Sequence, residues 1–144
     1  MKYCFFVGSG AISWKSKKEH SISLCSTKAE YKGCTNATKE ALWLRRLLED
    51  LDLPQQAPTP LHCDNQSAIA LSKNPIFHAR TKHISLQHHF IQEQVEDKKV
   101  TLLYCKGEHQ VADILTKPLS KERFHFHCKN LGSQPLDVSS PSKY

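Results

Sequence analysis

The sequence predicts an α/β fold in which helices flank a mixed β-sheet. Two strands open the chain, a long amphipathic helix follows, and shorter strands and helices then alternate up to residue 132. That order is typical of a mixed sheet covered by helices. The hydrophobic content of 39% over 144 residues is sufficient for one modest core. We therefore expect one domain over residues 1–132 and a disordered, Ser- and Pro-rich tail over residues 133–144.

The first strands read as a hairpin. Residues 2–7 are mostly aromatic or otherwise strand-forming, and residues 11–14 form a second candidate strand after a Gly-Ser-Gly turn. Residues 21–25 alternate polar and apolar side chains, which indicates a further short strand.

Residues 27–51 predict the longest helix of the chain. Apolar residues recur there at spacings of three and four, the period of one helix face. They are Ala37, Ala41, Leu44, Leu48 and Leu51. Pro54 follows shortly and predicts a loop that runs to about Pro60.

Two strands and two helices are predicted in the middle of the chain. Residues 61–63 and 100–104 have strand character, and the second run is the stronger. Between them, residues 65–72 predict a short helix, and residues 81–95 are amphipathic with His88 on the apolar face.

Two helices are predicted near the C-terminal end. Residues 110–117 indicate a short helix that Pro118 stops. Residues 120–131 indicate another, with Ser120 as its N-cap and Gly132 as its stop.

Charge and cysteine usage restrict partner and compartment. The net charge of +6 favours a polyanionic partner. No apolar run approaches the roughly 20 residues of a membrane span, and the start of the chain lacks the pattern of a secretory signal, so no membrane partner is expected. The six cysteines are scattered without a C-x-x-C pair, which favours reduced thiols in an intracellular protein, cytoplasmic or nuclear.

Three carboxylates are the candidate metal ligands. Glu30 and Asp113 lie on predicted helices, and Asp64 follows a strand. Carboxylates that converge on one point hold Mg²⁺ or Mn²⁺ for phosphoryl chemistry. Each has a structural alternative: Glu30 with Thr27 fits a capping box, Asp64 fits an N-cap, and Asp113 fits a solvated helix face. The local patterns leave these alternatives open.

Six short motifs carry a family resemblance. In chain order they are residues 10–18 (GAISWKSKK), 26–31 (STKAEY), 38–44 (TKEALWL), 63–69 (CDNQSAI), 78–84 (HARTKHI) and 112–119 (ADILTKPL). With these motifs, the chain resembles the ribonuclease H domain at the C-terminal end of copia-type, plant-like retrotransposon Pol polyproteins.

The resemblance implies a ribonuclease H-like fold and a hydrolase of the RNA strand in RNA–DNA hybrids. Such domains use two divalent ions, Mg²⁺ or Mn²⁺, held by four carboxylates. Glu30, Asp64 and Asp113 would be three of the four. His109 corresponds to a mobile histidine thought to aid proton transfer or product release, although an ordinary solvated loop residue is its alternative reading.

One departure from the family pattern concerns the fourth carboxylate. In the family it is an Asp on a strand before the hairpin, and here no acidic residue precedes Glu19. The resemblance therefore implies an N-terminally truncated domain whose first, central strand is missing, with unpaired strand edges. We expect the isolated fragment to be inactive, and expect an upstream reverse transcriptase region in an intact polyprotein.

Basic residues could contact the phosphates of a hybrid. They are Lys15, Lys17 and Lys18 beside Trp14, and Arg80 and Lys82 further along. A solvated charged face is the alternative. The nine histidines show no zinc-ligand spacing, which argues against a zinc site. Two other functional classes stay open, namely a nucleic-acid-binding remnant without chemistry and a degenerate retrotransposon reading frame.

Overall fold

The computed structural model describes residues 2–17, 26–73 and 82–132, without the side chains of residues 26–30, 71 and 82–85. The α/β class is confirmed, with four strands and four helices in these ranges. Within the described residues the strands form two two-stranded sheets, one antiparallel and one parallel, and a ribonuclease H-like mixed sheet stays a prediction.

The chain divides into two compact units. A continuous unit comprises Lys17–Gln110, and a discontinuous unit combines Lys2–Ser16 with the stretch from Val111 onward. The single domain over residues 1–132 stays a prediction, and the strand predicted at residues 21–25 and the tail at 133–144 lie outside the described residues.

The hairpin of the discontinuous unit is confirmed. Strand β1 (Lys2–Val7) pairs antiparallel with β2 (Gly10–Ser16), and a bulge lies between Phe5 and Phe6. Gly8 in the turn has φ +60°, a conformation that glycine adopts without steric cost. Strand β2 is longer than predicted because its pairing with β1 extends to Ser16.

The last helix of this unit has the predicted boundaries to within a residue. Helix α4 spans Lys121–Asn130, and the Ser120 side chain caps it by accepting a hydrogen bond from the Arg123 amide at 3.4 Å. Gly132 follows with φ +73°, and a Cβ at this position would lie 2.4 Å from the Ser9 carbonyl oxygen. Gly132 therefore permits a close approach that a side chain would prevent.

The helix predicted at residues 110–117 is wrong in type. Two short 3-10 turns occur instead, at Gly107–His109 and at Val111–Leu115. Pro118 follows so closely that the second turn cannot extend into a stable α-helix.

The long helix of the continuous unit is confirmed as α1, Ser26–Asp50. It buries Tyr31, Thr38, Ala41 and Leu44, whereas Leu51 lies beyond the helix and is 60% exposed. The Thr38 hydroxyl donates to the carbonyl of the preceding helical turn at 2.8 Å, so this buried polar group is satisfied.

The continuous unit contains the parallel sheet. Strands β3 (Thr59–Cys63) and β4 (Val100–Tyr104) pair in parallel along their whole length, so β3 begins two residues before its predicted start. Helices α2 (Gln66–Ser72) and α3 (Lys82–Glu96) lie between them in sequence, close to the predicted ranges. Parallel strands need a long connection of this kind.

Side chains from every element of the sheet and its helices form the core of the continuous unit. Ile91, Val100 and Leu102 are at most 2% exposed. His88, predicted on the apolar face of its helix, is also buried, and its ring stacks on Tyr31 with the centroids 6.2 Å apart. Burial raises the pKa of Tyr31, and a negative charge on Cys34 raises it further.

Arg45 fixes α1 to the start of β3. Its Nη1 donates to the Ala57 carbonyl at 2.7 Å and to the Thr59 hydroxyl at 3.0 Å.

Across the described residues, no helix combines the length and apolar character needed to cross a bilayer.

Candidate active site

Asp64 lies where open α/β sheets commonly place functional residues. It follows β3 directly, at the carboxyl end of the parallel pair, and it is half-buried. The neighbouring Asn65, not Asp64, caps helix α2, because its Oδ1 accepts a hydrogen bond from the Ala68 amide at 3.0 Å. The capping role that the sequence left open for Asp64 therefore belongs to Asn65.

The 3-10 turn Gly107–His109 is held beside Asp64. The Cys105 amide donates to the Cys63 carbonyl at 3.0 Å, and Gln110 Nε2 donates to the His62 carbonyl at 3.2 Å. A Cβ on Gly107 would lie 3.8 Å from Asp64 Oδ2, an ordinary contact distance. Among the described residues, no hydrogen bond or ion pair reaches the Asp64 carboxylate.

His109 lies at the end of this turn and is exposed. Its Nε2 is 3.6 Å from Glu108 Oε1, and about three fifths of each side chain is exposed (60% and 62%). Solvent screening makes such an exposed pair weak. His109 thus ends a turn that begins next to Asp64, and its role in proton transfer or product release stays a prediction.

Asp113 has a very different environment in the discontinuous unit. Its side chain is 2% exposed, its Oδ1 contacts the Lys2 ammonium, and its Oδ2 accepts from Lys117 Nζ at 2.8 Å. The predicted alternative of a solvated helix face is therefore wrong. Burial is the largest influence on the pKa of Asp113 and raises it, but hydrogen bonds and positive charges from Lys117 and Lys2 outweigh burial and hold the pKa below its ordinary value.

In this arrangement, each carboxylate oxygen of Asp113 is engaged by a lysine ammonium. Mg²⁺ and Mn²⁺ need available, negatively charged oxygens, whereas both oxygens of Asp113 carry an ammonium partner. A divalent cation would have to displace Lys2 and Lys117 against their positive charges.

Among the described side chains, no three or more His, Cys, Asp or Glu residues lie together so that they could hold a metal. Glu30 lies near the start of α1, but its side chain is outside that description. Convergence of Glu30, Asp64 and Asp113 on Mg²⁺ or Mn²⁺ therefore stays a prediction, and so does the capping box at Glu30.

Part of the candidate nucleic-acid surface is described. Lys15 and Lys17 are exposed, and Trp14 is 62% exposed. Lys18 and Arg80 lie outside the described residues, and Lys82 begins α3 without a described side chain. Phosphate contact by these five residues stays a prediction.

Sequence reasoning missed the two cations that neutralise Asp113. Lys117 is four residues after Asp113, a spacing at which opposite charges on a helical turn commonly pair, so a signal existed. Lys2 lies 111 residues away and no local pattern connects the two.

Comparison with known proteins links the chain to plant transposons. It is 43% identical over 129 residues to the retrovirus-related Pol polyprotein from transposon TNT 1-94 of Nicotiana tabacum, an alignment that covers 90% of this chain. It is 38% identical over 130 residues to each of the retrovirus-related Pol polyproteins from transposons RE2 and RE1 of Arabidopsis thaliana, again over 90% of this chain.

The chain spans only about a tenth of the length of these relatives, between 9% and 10%. No family model and no solved structure matches it. The homologues are thus retrovirus-related Pol polyproteins of plant transposons, which confirms the retrotransposon Pol resemblance at that level and leaves the ribonuclease H assignment a prediction.

Proposed function

We propose that this chain is the ribonuclease H-like region of a copia-type retrotransposon Pol polyprotein and that its nucleic-acid partner is an RNA–DNA hybrid. The alignment with Pol polyproteins over nine tenths of the chain is the observation that carries the proposal. The order of the motifs supports it, as does the position of Asp64 at the carboxyl end of the parallel strands. An upstream reverse transcriptase region is the proposed covalent partner.

We further propose that the 144-residue chain binds RNA–DNA hybrids without hydrolysing them. Lys2 and Lys117 neutralise the Asp113 carboxylate, so a divalent ion is not expected to bind there. Hydrolysis in this class of enzyme depends on ions that orient water and stabilise the leaving oxygen. Without Asp113, only Glu30 and Asp64 remain of the predicted carboxylate ligands, which is half of the four that the family uses.

Binding is assigned to the basic residues around the second strand of the hairpin. Lys15 and Lys17 are exposed and can approach phosphates, and the exposed ring of Trp14 lies beside them in sequence. A contact with phosphates makes affinity fall with salt because bound counterions are released.

A cleavage assay tests the catalytic half of the proposal. The purified chain is incubated with an RNA–DNA hybrid labelled on the RNA strand, with Mg²⁺ and separately with Mn²⁺. We expect no shortened RNA above the level of a protein-free control. Metal-dependent products that disappear in Asp64→Asn would overturn the claim of inactivity while supporting the ribonuclease H assignment.

A binding assay tests the other half. Fluorescence anisotropy of a labelled hybrid should show binding that weakens steeply with added salt. The double variant Lys17→Glu with Lys18→Glu should lose affinity for the hybrid several-fold. The control is Lys98→Glu with Lys99→Glu, at two exposed lysines after α3, which changes the net charge by the same amount. The control variant should bind the hybrid more tightly than the Lys17 and Lys18 variant. If both variants lost the same affinity, net charge alone would explain the effect, and the hairpin would not be part of the binding surface.

A further inference from the structure

We propose that Cys34 and Cys63 form a reactive dithiol site in the continuous unit, which a small-molecule disulfide oxidises to an intramolecular disulfide. Cys34 lies on α1 and Cys63 ends β3. Their sulfurs are 3.8 Å apart, with the Cys34 thiol donating to Cys63 Sγ. The site does not depend on the proposed nucleic-acid function.

The surrounding backbone places the two sulfurs within reach of each other. A disulfide needs a sulfur–sulfur distance of about 2.05 Å, so the two atoms must approach by roughly 1.8 Å, which side-chain rotation can supply. The backbones that carry them belong to one compact unit, and Arg45 already fixes α1 to β3 through the Thr59 hydroxyl.

The two thiols differ in access, which suits a stepwise reaction. Cys34 is half-buried, so a small molecule in solvent can reach it, whereas Cys63 is only 5% exposed. The Asn65 amide lies 3.4 Å from Cys63 Sγ and donates to it. The Cys63 thiol also donates to the Asn65 carbonyl oxygen at 3.8 Å, so the Asn65 backbone holds this sulfur in place beside Cys34.

The oxidant is a low-molecular-weight disulfide such as oxidised glutathione. The Cys34 thiolate attacks one sulfur of the oxidant, and a mixed disulfide forms as one equivalent of small thiolate leaves. The Cys63 thiolate then attacks Cys34 Sγ, the protein disulfide forms, and the second small thiolate leaves. The two protons lost by the cysteines end on the two small thiols, so the oxidant gains the two electrons that the protein loses.

The disulfide would join Cys63, at the end of β3, to the long helix α1. Cys63 directly precedes Asp64, so the bond would lie next to this carboxylate. Disulfides of intracellular proteins are commonly transient and redox-sensing. The dithiol thus provides this unit with a reversible cross-link whose state follows the thiol–disulfide balance around it.

Peptide mapping tests the assignment directly. Trypsin places Cys34 in the peptide of residues 33–39 and Cys63 in the peptide of residues 47–73, each with one cysteine. After treatment of the full chain with oxidised glutathione and blocking of remaining thiols, we expect these two peptides linked, and separated again by a reductant. Glutathione retained on Cys34, or Cys34 linked to another cysteine, would overturn the proposal.

A stability measurement on variants provides a second test. The cross-link joins residues 29 apart in sequence, and it should raise the thermal midpoint of the oxidised chain by ~5 °C over the reduced chain. Cys34→Ser should abolish this difference, and Cys128→Ser, at a half-buried thiol of the other unit, should retain it. If Cys34→Ser does not fold, the linked peptides of the unmodified chain still decide the question.

Discussion

Asp64 and Asp113 are the same residue type, and the sequence predicts both as ligands of a shared metal site, yet their surroundings have little in common. Asp64 is half-buried next to a glycine, and no described residue pairs with its carboxylate. Asp113 is 2% exposed and neutralised by Lys2 and Lys117. A motif thus specifies which residue is present, whereas the electrostatic state of that residue depends on partners that the motif does not contain.

The largest effect is expected when the charge of Asp113 is removed, and this change tests whether Asp113 has a structural role that Asp64 lacks. Asp113→Asn removes the anion that two partly exposed lysines share, so we expect the free energy of unfolding to fall by ~2–3 kcal/mol, as for lost hydrogen bonds to a charged group. Urea unfolding followed by circular dichroism measures the loss. Asp97→Asn, the same change at an exposed position, should cost less than ~0.5 kcal/mol. Equal midpoints for the two variants would contradict a structural role for Asp113.

Two glycines extend the comparison from charge to packing. Gly132→Ala should cost ~2 kcal/mol because its φ is +73° and the new Cβ would meet the Ser9 carbonyl oxygen at 2.4 Å. Gly107→Ala, beside Asp64, should change stability by less than ~0.5 kcal/mol because its Cβ has room. Thermal unfolding of both variants gives the two values. A larger loss at Gly107 than at Gly132 would mean that the surroundings of Asp64 are the tighter ones.

Acid titration sharpens the contrast without a change to the fold. The pKa of Asp113 is lower in the folded chain than its ordinary 3.8, so the stabilisation it provides is fully present above that pH. As the pH falls below about 4, towards the lowered pKa, this stabilisation is progressively lost. Urea midpoints of wild type and Asp113→Asn, measured from pH 7 down to pH 3, should therefore converge at the acid end. A constant difference at all pH values would contradict the lowered pKa.

The smallest effect is expected at Asp64. Asp64→Asn should change the free energy of unfolding by less than ~0.5 kcal/mol, because Asn65 caps α2 and no described residue pairs with the Asp64 carboxylate. The same urea experiment measures it, and Asn65→Ala is the matched control, with an expected cost of ~1 kcal/mol for the lost cap. A loss at Asp64 as large as at Asn65 would give Asp64 a structural role and remove the contrast with Asp113.

Local features of the fold were predictable, because they depend on residues close in sequence. The period of three and four gave α1, and Ser120 with Gly132 gave the limits of α4. The turn at Val111–Leu115 was mistaken for an α-helix because its composition permits either form over so few residues.

Long-range features of the candidate site were not predictable from this chain alone. Lys2 reaches Asp113 only after the chain has folded back, and nothing near either residue indicates the other. Asp64 and Asn65 are adjacent, and both residue types are favoured as helix N-caps. Which of them caps α2 depends on where the helical backbone begins, and the sequence does not fix that point to within one residue. The parallel pairing of β3 with β4 likewise joins segments about 40 residues apart.

The discontinuous unit also determines an order of events during protein synthesis. The hairpin needs only the first 16 residues and can form within microseconds of leaving the ribosome. Asp113 lies 111 residues after Lys2, and the ribosome needs about 5–20 s to add these residues. The Lys2 ammonium lacks its Asp113 partner during this time. A nascent chain therefore passes through a stage in which the hairpin carries an uncompensated cation, and its ion pair with Asp113 is among the last contacts to be made.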